Sequence, residues 1–241
     1  MVRYNLQRRV PDAKADRHRM IIAIDGPAGS GKSSVAKLLA SRIGFHLLDT
    51  GAMYRAVAYR ALSQGVSLAD TAAIARIATS DPIAFSRADG DTLPTRVSIA
   101  GEDVTAAIRS VQVDEAVSPV AKVPEVRSAM VAQQRALAAA GDIVVEGRDI
   151  GTVVFPDAAL KIYLTASAEE RAKRRVHDSA RGGTPAEQDA VHAALLRRDE
   201  IDSSRKHSPL AIAGDAIVLD TTGMTLEQVV DRIEELVCQR R

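Results

Sequence analysis

The residues best suited to chemistry form a glycine-rich segment from Gly26 to Ser33. The segment fits the pattern G-x-x-x-x-G-K-[ST], which binds nucleotide phosphates when a strand precedes it and a helix follows it. A short apolar run, 20–24, comes before it, and apolar residues at helical spacing follow from Val35. The sequence therefore predicts a phosphate loop in its required context. The alternative without a function is a glycine-rich turn with a surface lysine.

Each residue type in this loop has a physical task. Glycines let the backbone curl so that successive N–H groups point at one phosphate, and the following helix adds the positive end of its dipole. Lys32 would place a charge on the β- and γ-phosphates, and the Ser33 hydroxyl would be a ligand for Mg²⁺. The residues predicted to bind ATP are Gly26, Pro27, Ala28, Gly29, Ser30, Gly31, Lys32, Ser33 and Ser34.

Polar residues follow two other predicted strands. Thr50 and Arg55 come after the strand 46–48, and Arg148 and Asp149 come after the strand 142–145. Ligands of open parallel α/β sheets bind beyond the carboxyl ends of the strands, so we expect these side chains on the side of the phosphate loop. Alternatively, Arg55 lies on a solvated helix face, and Arg148 and Asp149 form a buried salt bridge within their own loop.

Arginines are also concentrated late in the chain. A helix beginning with a capping box at Ser167 contains Arg174 among several basic residues, and it breaks at Gly182, Gly183 and Pro185. Basic helices around a glycine hinge could form a mobile lid over phosphates. The alternative without a function is a charged helix face exposed to solvent.

The next helix places Arg198, Asp202 and Arg205 at positions i, i+4 and i+7, on one predicted face. There the arginines would face an anion with Asp202 orienting them or holding a hydroxyl. A surface ion-pair ladder is the alternative.

Strands and helices alternate along most of the chain, which predicts an α/β fold with a parallel sheet. The first helix is predicted over Lys32–Ile43, ending at Gly44. Two β patterns, 82–86 and 95–100, flank a turn cluster and predict an antiparallel hairpin. We therefore treat about 81–110 as an insert and 20–241 as one domain.

Composition narrows the classes of function. The 241 residues suffice for one α/β domain with an inserted piece, and 46% apolar with 3% aromatic residues predicts an aliphatic core. A net charge of +1 gives no global reason to expect a nucleic-acid partner.

The single cysteine, Cys238, excludes an intrachain disulfide and fits a reducing, cytoplasmic compartment. No apolar run approaches the roughly 20 residues of a membrane span. A monomer is expected.

Residues 1–19 are basic and lack the apolar region of a secretory signal. The segment predicts a disordered basic extension, with Met20 as an alternative start; a nucleic-acid-binding arm or a transit peptide are the functional alternatives.

Five segments together resemble the bacterial cytidylate kinases of the nucleoside monophosphate kinase group. They occur in that family's order and, apart from the first nineteen residues, the resemblance covers the chain from Met20 to Gln239. The segments are I-D-G-P-A-G-S-G-K-S (24–33), L-D-T-G-A-M-Y-R (48–55), G-E-D-V (101–104), G-R-D-I-G-T-V-V-F-P-D (147–157) and R-D-x-x-D-x-x-R (198–205).

The resemblance implies phosphoryl transfer from ATP to CMP or dCMP with Mg²⁺, by an enzyme of pyrimidine nucleotide metabolism. It also implies a phosphate-loop NTPase-type core with a five-stranded parallel sheet and helices on both faces. The hairpin would be a nucleoside-monophosphate-binding insert, and 174–185 would be a mobile lid. Glu146 departs from the pattern, since some members have Asp there, and either carboxylate could hold a magnesium-bound water.

Site residues follow from the resemblance by matching position. Those implied to bind CMP are Thr50, Arg55, Ser118, Arg127, Arg148, Asp149, Arg198, Asp202 and Arg205. Within this set, Arg55, Arg148 and Arg205 would hold the phosphate, Asp202 and Arg198 the ribose and the transferring phosphate, and Ser118, Arg127 and Asp149 the cytosine. Residues implied in catalysis are Lys32, Arg148, Arg174, Arg198 and Arg205.

Other functions stay open at this point. Adenylate or shikimate kinases share the phosphate loop, but the hairpin and the Gly147–Asp149 loop argue against them. A GTPase is disfavoured because the sequence contains no N-K-x-D motif. A catalytically idle nucleotide-binding regulator, with the basic arm touching RNA, is disfavoured because Lys32, Ser33 and the late arginines are all present.

Overall fold

The computed structural model describes residues 19–87, 93–178, 185–205 and 208–240. In chain order, the strands of these residues are β1 (Ile21–Asp25), β2 (His46–Asp49), β3 (Ile83–Ser86), β4 (Arg96–Ile99), β5 (Glu102–Asp103), β6 (Ile143–Glu146), β7 (Leu160–Thr165) and β8 (Ile217–Asp220). The helices are α1 (Lys32–Ile43), α2 (Thr50–Ser63), α3 (Thr71–Ser80), α4 (Val111–Lys122), α5 (Pro124–Leu137), α6 (Ala168–Asp178), α7 (Pro185–Ser203) and α8 (Leu226–Cys238).

The main sheet has five strands in the order β2-β6-β1-β7-β8, all paired in parallel. Register places Ile24 opposite Glu146 and Ile162, and Asp49 opposite Glu146. The carboxyl ends of β1, β2 and β6 therefore meet at one edge of the sheet, where the loops that follow them converge. The predicted five-stranded parallel sheet is confirmed.

Helices cover both faces of this sheet. On one face, α2, α3, α4 and α5 bury an aliphatic cluster that includes Met53, Ile74 and Met130, none of them exposed to solvent. On the other face, α1 and α8 bury a second cluster around Leu39 and Ile233. Since the chain has few aromatic residues, small and branched aliphatic side chains fill both layers, as predicted.

The inserted β pattern forms an antiparallel sheet, β3-β4-β5. The predicted hairpin corresponds to β3 and β4, and the segment after it adds a short third strand, β5. Glu102 of β5 accepts hydrogen bonds from Tyr59 and Arg60 of α2, at 2.9 and 3.2 Å. These contacts fasten the small sheet to the helix that begins at Thr50.

Of the predicted helix ends, that of α1 is confirmed and that of α7 is not. The helix α1 ends at Gly44, which has a left-handed φ of 72°. At the start of α6, the Ser167 hydroxyl oxygen accepts a hydrogen bond from the Glu170 N–H at 3.2 Å, which is one of the two bonds of the predicted capping box. The helix α7 ends at Ser203. Arg205 therefore lies beyond the helix, and the predicted helical ladder from Arg198 to Arg205 is wrong in its last member.

Two predictions concern residues outside the described ranges. The basic extension lies there except for Arg19, and so does the predicted hinge, 181–185, except for Pro185, which is the first residue of α7. Among the described helices, none combines the length and apolarity needed to cross a membrane.

Candidate active site

The phosphate loop joins β1 to α1 and depends on glycine at three positions. Gly26, Gly29 and Gly31 have φ values of 147°, 75° and 84°, which L-residues rarely adopt. A Cβ atom at Gly26 would lie 2.0 Å from the Leu164 carbonyl oxygen, far closer than van der Waals contact allows. The loop therefore packs directly against the end of β7, and its curl is fixed by backbone geometry.

Lys32 begins α1 and is buried, with 5% of its surface exposed. Its Nζ donates to the Pro27 carbonyl oxygen at 2.6 Å and to Ser30 Oγ at 3.3 Å. Burial, followed by the positive charge of Arg148, lowers the pKa of Lys32 well below its usual value. A bound phosphate would supply the negative charge that this buried ammonium group requires.

Glu146, at the end of β6, lies beside the start of α1. Its carboxylate accepts a hydrogen bond from the Ser33 hydroxyl, and burial together with the nearby charge of Asp49 raises its pKa to about 7. Its backbone carbonyl oxygen accepts a hydrogen bond from the Thr50 hydroxyl at 2.7 Å. The ends of β2 and β6 and the phosphate loop thus form one connected polar edge.

Arg55 is held by the residue that caps its own helix. One carboxylate oxygen of Asp49 accepts the Ala52 N–H at 2.8 Å, and the other accepts Arg55 Nη2 at 3.1 Å. The guanidinium group is mostly buried and lines the cleft. The alternative of a solvated helix face for Arg55 is therefore wrong.

Arg148 and Asp149 do not pair with each other, contrary to the salt-bridge alternative. Arg148 Nε donates to Asp202 Oδ2 at 3.0 Å, and Arg205 binds the other oxygen of the same carboxylate. Asp202 is 2% exposed, so this three-residue cluster is a buried feature and not a surface ladder. Burial lowers the pKa of the neighbouring Arg198 to about 10, with the charge of Arg148 adding to the effect.

Asp149 instead forms a buried ion pair with Arg127 of α5. Ser118 of α4 is buried at the same end of the cleft. The Tyr54 ring lies beneath Arg127, with its centroid 5.5 Å from Cζ, at a distance suited to a cation–π interaction. Asp25 fixes the loop after Asp149 by accepting the N–H groups of residues 150 and 151, both at 2.8 Å.

Arg174 of α6 lies beside Gly31 of the phosphate loop. Its guanidinium group donates to the Thr221 hydroxyl and carbonyl oxygens at 2.9 and 2.7 Å, and its Nε donates to Glu170 at 3.0 Å. Its Nη1 would be 3.6 Å from a Cβ atom at Gly31. Arg174 is thus close enough to the loop to share an anion with it.

These groups surround one cleft of about 410 Å³, a volume typical of small-molecule sites. Every predicted site residue lines it except Gly26 and Pro27, which shape the loop from behind. The predicted ATP-binding loop leads into α1 on one face of the sheet, and Arg127 belongs to α5 on the other face. Asp202 and three arginines connect the two regions: Arg148 and Arg198 are close enough to Lys32 to affect its charge, and Arg205 is close enough to Arg127.

Sequence reasoning missed several residues that support this cleft. They are Asp25, Asp49, Tyr54, Asp114, Arg171, Asp199 and Thr221. Asp25 and Asp49 could have been found, because each is a carboxylate at the carboxyl end of a parallel strand. Tyr54 and Asp199 lie within the matched segments 48–55 and 198–205, but the resemblance implies no role for them. Asp114, Arg171 and Thr221 are brought to the cleft by packing between distant elements, for which local spacing gives no signal.

Comparison with known proteins decides the family. A model of the family described as "Cytidylate kinase" matches residues 22–239. The chain belongs to the cytidylate kinase family. The "Cytidylate kinase" of Geobacillus sp. (strain WCH70) is 50% identical over 224 residues, covering 93% of this chain and 99% of that protein. The "Cytidylate kinase" of Nocardia farcinica (strain IFM 10152) is also 50% identical, covering 92% of this chain and 94% of that protein.

Solved structures agree on the fold alone. An uncharacterized protein from Eubacterium ventriosum ATCC 27560 has a TM-score of 0.52 and 13% identity, covering 92% of this cytidylate kinase family member and 100% of that chain. The resemblance drawn from five sequence motifs is confirmed, and this chain is a phosphate-loop kinase that uses ATP. The roles of individual residues rest on the geometry described above.

Proposed function

We propose that this cytidylate kinase family member transfers the γ-phosphoryl group of ATP to CMP or dCMP, giving ADP and CDP or dCDP. One observation supports this most strongly: the phosphate loop and the buried Arg127–Asp149 pair line the same cleft, together with Arg148, Arg198 and Arg205. Such a cleft can bind two nucleotides end to end, with their phosphates meeting in the middle.

The donor end is the phosphate loop. The N–H groups of the loop and of the first turn of α1 would bind the β-phosphate, and Lys32 would leave the Pro27 carbonyl oxygen to bind the β- and γ-oxygens. Arg174 would bind the donor phosphates from the other side. The residues assigned to ATP are those of 26–34.

A magnesium ion fits the donor set beside this loop. Mg²⁺ prefers oxygen ligands and keeps several waters, and here the Ser33 hydroxyl and the Glu146 carboxylate lie within hydrogen-bonding distance of each other. Ser33 would be a direct ligand, and Glu146 would hold a bound water. When bound, Mg²⁺ would neutralise charge on the β- and γ-phosphates.

Transfer itself requires positioning and charge, and little covalent help. The transition state places negative charge on the equatorial oxygens of the transferring group, which fixed cations stabilise. Arg148, Arg198 and Arg205 provide these cations between the two ends of the cleft. A general base is unnecessary because the attacking oxygen belongs to a phosphate that is already ionised at pH 7.

The acceptor phosphate would be bound by Arg55, Arg148 and Arg205. Asp202 holds two of these arginines and would also accept a ribose hydroxyl. Thr50 helps to shape this part of the site, because its hydroxyl anchors the start of α2 to β6. Arg198 would bind the ribose and the transferring phosphate.

The acceptor base would be recognised at the Arg127–Asp149 end, next to Ser118. The Asp149 carboxylate can accept from the N4 amino group of cytosine, as carboxylates do in nucleic-acid recognition. Uracil presents an acceptor at that place, so UMP would leave two acceptors facing each other. A site built on such a hydrogen bond rejects the wrong analogue strongly.

The β3-β4-β5 sheet would close over the acceptor nucleotide, and 174–185 would act as a lid over the donor phosphates. We infer a cytoplasmic monomer whose partners are nucleotides, with no nucleic-acid or membrane partner.

A label-transfer experiment tests the proposed reaction. Incubation with γ-³²P-labelled ATP, Mg²⁺ and CMP should give labelled CDP on thin-layer chromatography. The Lys32→Met variant serves as the control for contaminating kinases. Labelled inorganic phosphate without CDP would mean that the protein hydrolyses ATP and does not phosphorylate CMP.

A further inference from the structure

A partly buried ion pair outside the predicted site holds the phosphate loop. Arg171 of α6 pairs with Asp199 of α7. The other oxygen of Asp199 accepts the Ala28 N–H at 3.1 Å, and Arg171 Nη1 also donates to the Ala28 carbonyl oxygen at 3.0 Å. Both backbone polar groups of one loop residue are therefore bound by one ion pair from two other helices.

Packing reinforces these hydrogen bonds. The Ala28 methyl group is buried in a small apolar cluster with Ala172 and Leu195. A Cβ atom at Gly29 would lie only 3.1 Å from the Arg171 carbonyl oxygen. The loop thus approaches α6 closely at position 29, where the φ of 75° favours glycine.

The held residue is adjacent to groups that would act on the donor. Ala28 follows Pro27, whose carbonyl oxygen accepts Lys32 Nζ at 2.6 Å. On α6, Arg174 lies three residues after Arg171 and reaches the loop at Gly31. Fixing Ala28 therefore fixes two things at once: the peptide next to Lys32, and the distance between the loop and Arg174.

We propose that Arg171 and Asp199 are positioning residues for ATP, a role that rests on the proposed function in assuming that the loop binds the donor phosphates. They would not touch the nucleotide themselves. Their pairing holds α6 and α7 on the loop, so that its N–H groups and Arg174 face one anion before ATP arrives. Preorganisation of this kind lowers the cost of binding.

Isothermal titration calorimetry with ATP alone and with CMP alone tests this role. Arg171→Met removes the guanidinium group, and Asp199→Asn keeps an acceptor for Ala28 but removes the charge pair. Each should weaken ATP binding about tenfold or more, the loss expected when a charge-assisted hydrogen bond is removed. CMP binding should be unchanged, because its proposed contacts lie at the other end of the cleft.

Two further variants sharpen the test. Arg171→Lys can still pair with Asp199 and should recover part of the lost ATP affinity. Arg42→Met breaks an ion pair with Asp231 on the surface, and it should leave both affinities unchanged. Melting temperatures of all four variants show how much stability each substitution removes.

The outcomes are separable. Loss of melting temperature with unchanged affinity for ATP in the folded fraction would overturn the proposal, since the pair would then be structural only. Equal weakening of ATP and CMP binding would overturn it as well. Failure of the proposed function would appear differently, as wild-type protein that binds ATP but does not phosphorylate CMP.

Discussion

Arg148 Nε donates to Asp202 Oδ2 at 3.0 Å, although 54 residues separate the two in the chain. The first residue follows a central strand, and the second is near the end of α7. Their contact joins the sheet edge to the helices on the far side of the cleft. Because Arg205 binds the same carboxylate, Asp202 holds two of the arginines proposed to bind the acceptor phosphate.

Replacing Asp202 with Asn should therefore separate these arginines. The amide keeps the shape of the side chain but leaves Arg148 and Arg205 without a counter-charge, and removing one partner of a buried ion pair costs about 3–5 kcal/mol. We expect kcat/KM for CMP to fall at least about tenfold and the melting temperature to drop. Steady-state kinetics and thermal unfolding measure both, with the surface variant Asp231→Asn as control. Unchanged kcat/KM would show that Asp202 does not orient the arginines.

Replacing Asp149 with Ala should damage use of CMP far more than use of ATP. The variant loses the acceptor for the cytosine amino group and leaves Arg127 buried without its partner. We expect kcat/KM for CMP to fall about a hundredfold or more, while KM for ATP stays near its wild-type value.

Asp149→Asn serves as a second variant, since it is isosteric and less disruptive to folding. Circular dichroism of both variants distinguishes a lost contact from a lost fold. Equal kcat/KM for CMP in wild type and variants would refute base recognition by Asp149.

Replacing Lys32 with Met should abolish turnover while leaving CMP binding largely intact. Lys32 lies in the loop at the donor end, and its ammonium group is the proposed contact to the transferring phosphate. Kinetics combined with calorimetric titration of CMP measures the two effects separately. If the circular dichroism spectrum of the variant is that of an unfolded chain, the buried Lys32 is instead a structural residue.

Glu146 should make stability depend on pH. Its pKa is raised from 4.5 to about 7, chiefly by burial, so the folded chain holds its proton more tightly than the unfolded chain does. Its contribution to stability is therefore complete below about 4.5 and is lost as the pH rises through about 7. The total loss is about 3 kcal/mol at most.

The Glu146→Gln variant lacks this titration. Its free energy of unfolding should increase relative to wild type as the pH is raised from 5 to 8. Denaturant unfolding of both proteins at several pH values in that range gives the difference directly. Parallel curves would mean that the raised pKa has no consequence for folding.

Much of the fold was accessible from local patterns. Glycines and Lys32 between an apolar run and a helical pattern defined the phosphate loop, and Gly44 marked the end of α1. The alternation of strands and helices predicted a parallel sheet, and the turn cluster after Ser86 predicted the antiparallel insert. These features depend on backbone preferences within a few residues, which the sequence displays.

The pairing of charged residues was not accessible in the same way. Arg148 and Asp149 are adjacent in sequence, yet each pairs with a residue of a different helix. Arg205 binds Asp202 from beyond the end of α7, where helical spacing no longer applies. The clamp of Arg171 and Asp199 on Ala28 depends on two helices meeting the loop in space. Such contacts follow from tertiary packing, which the spacing of residues in the sequence does not reveal.

The most direct test is ADP release in a coupled assay with ATP and Mg²⁺, run separately with CMP, dCMP, UMP, AMP and shikimate. We expect turnover with CMP and dCMP, weak turnover with UMP, and none above background with AMP or shikimate. Strong turnover with any of the last three acceptors would contradict the cytosine-recognising cleft. ATP binding without turnover on all five would contradict the assignment of phosphoryl transfer itself.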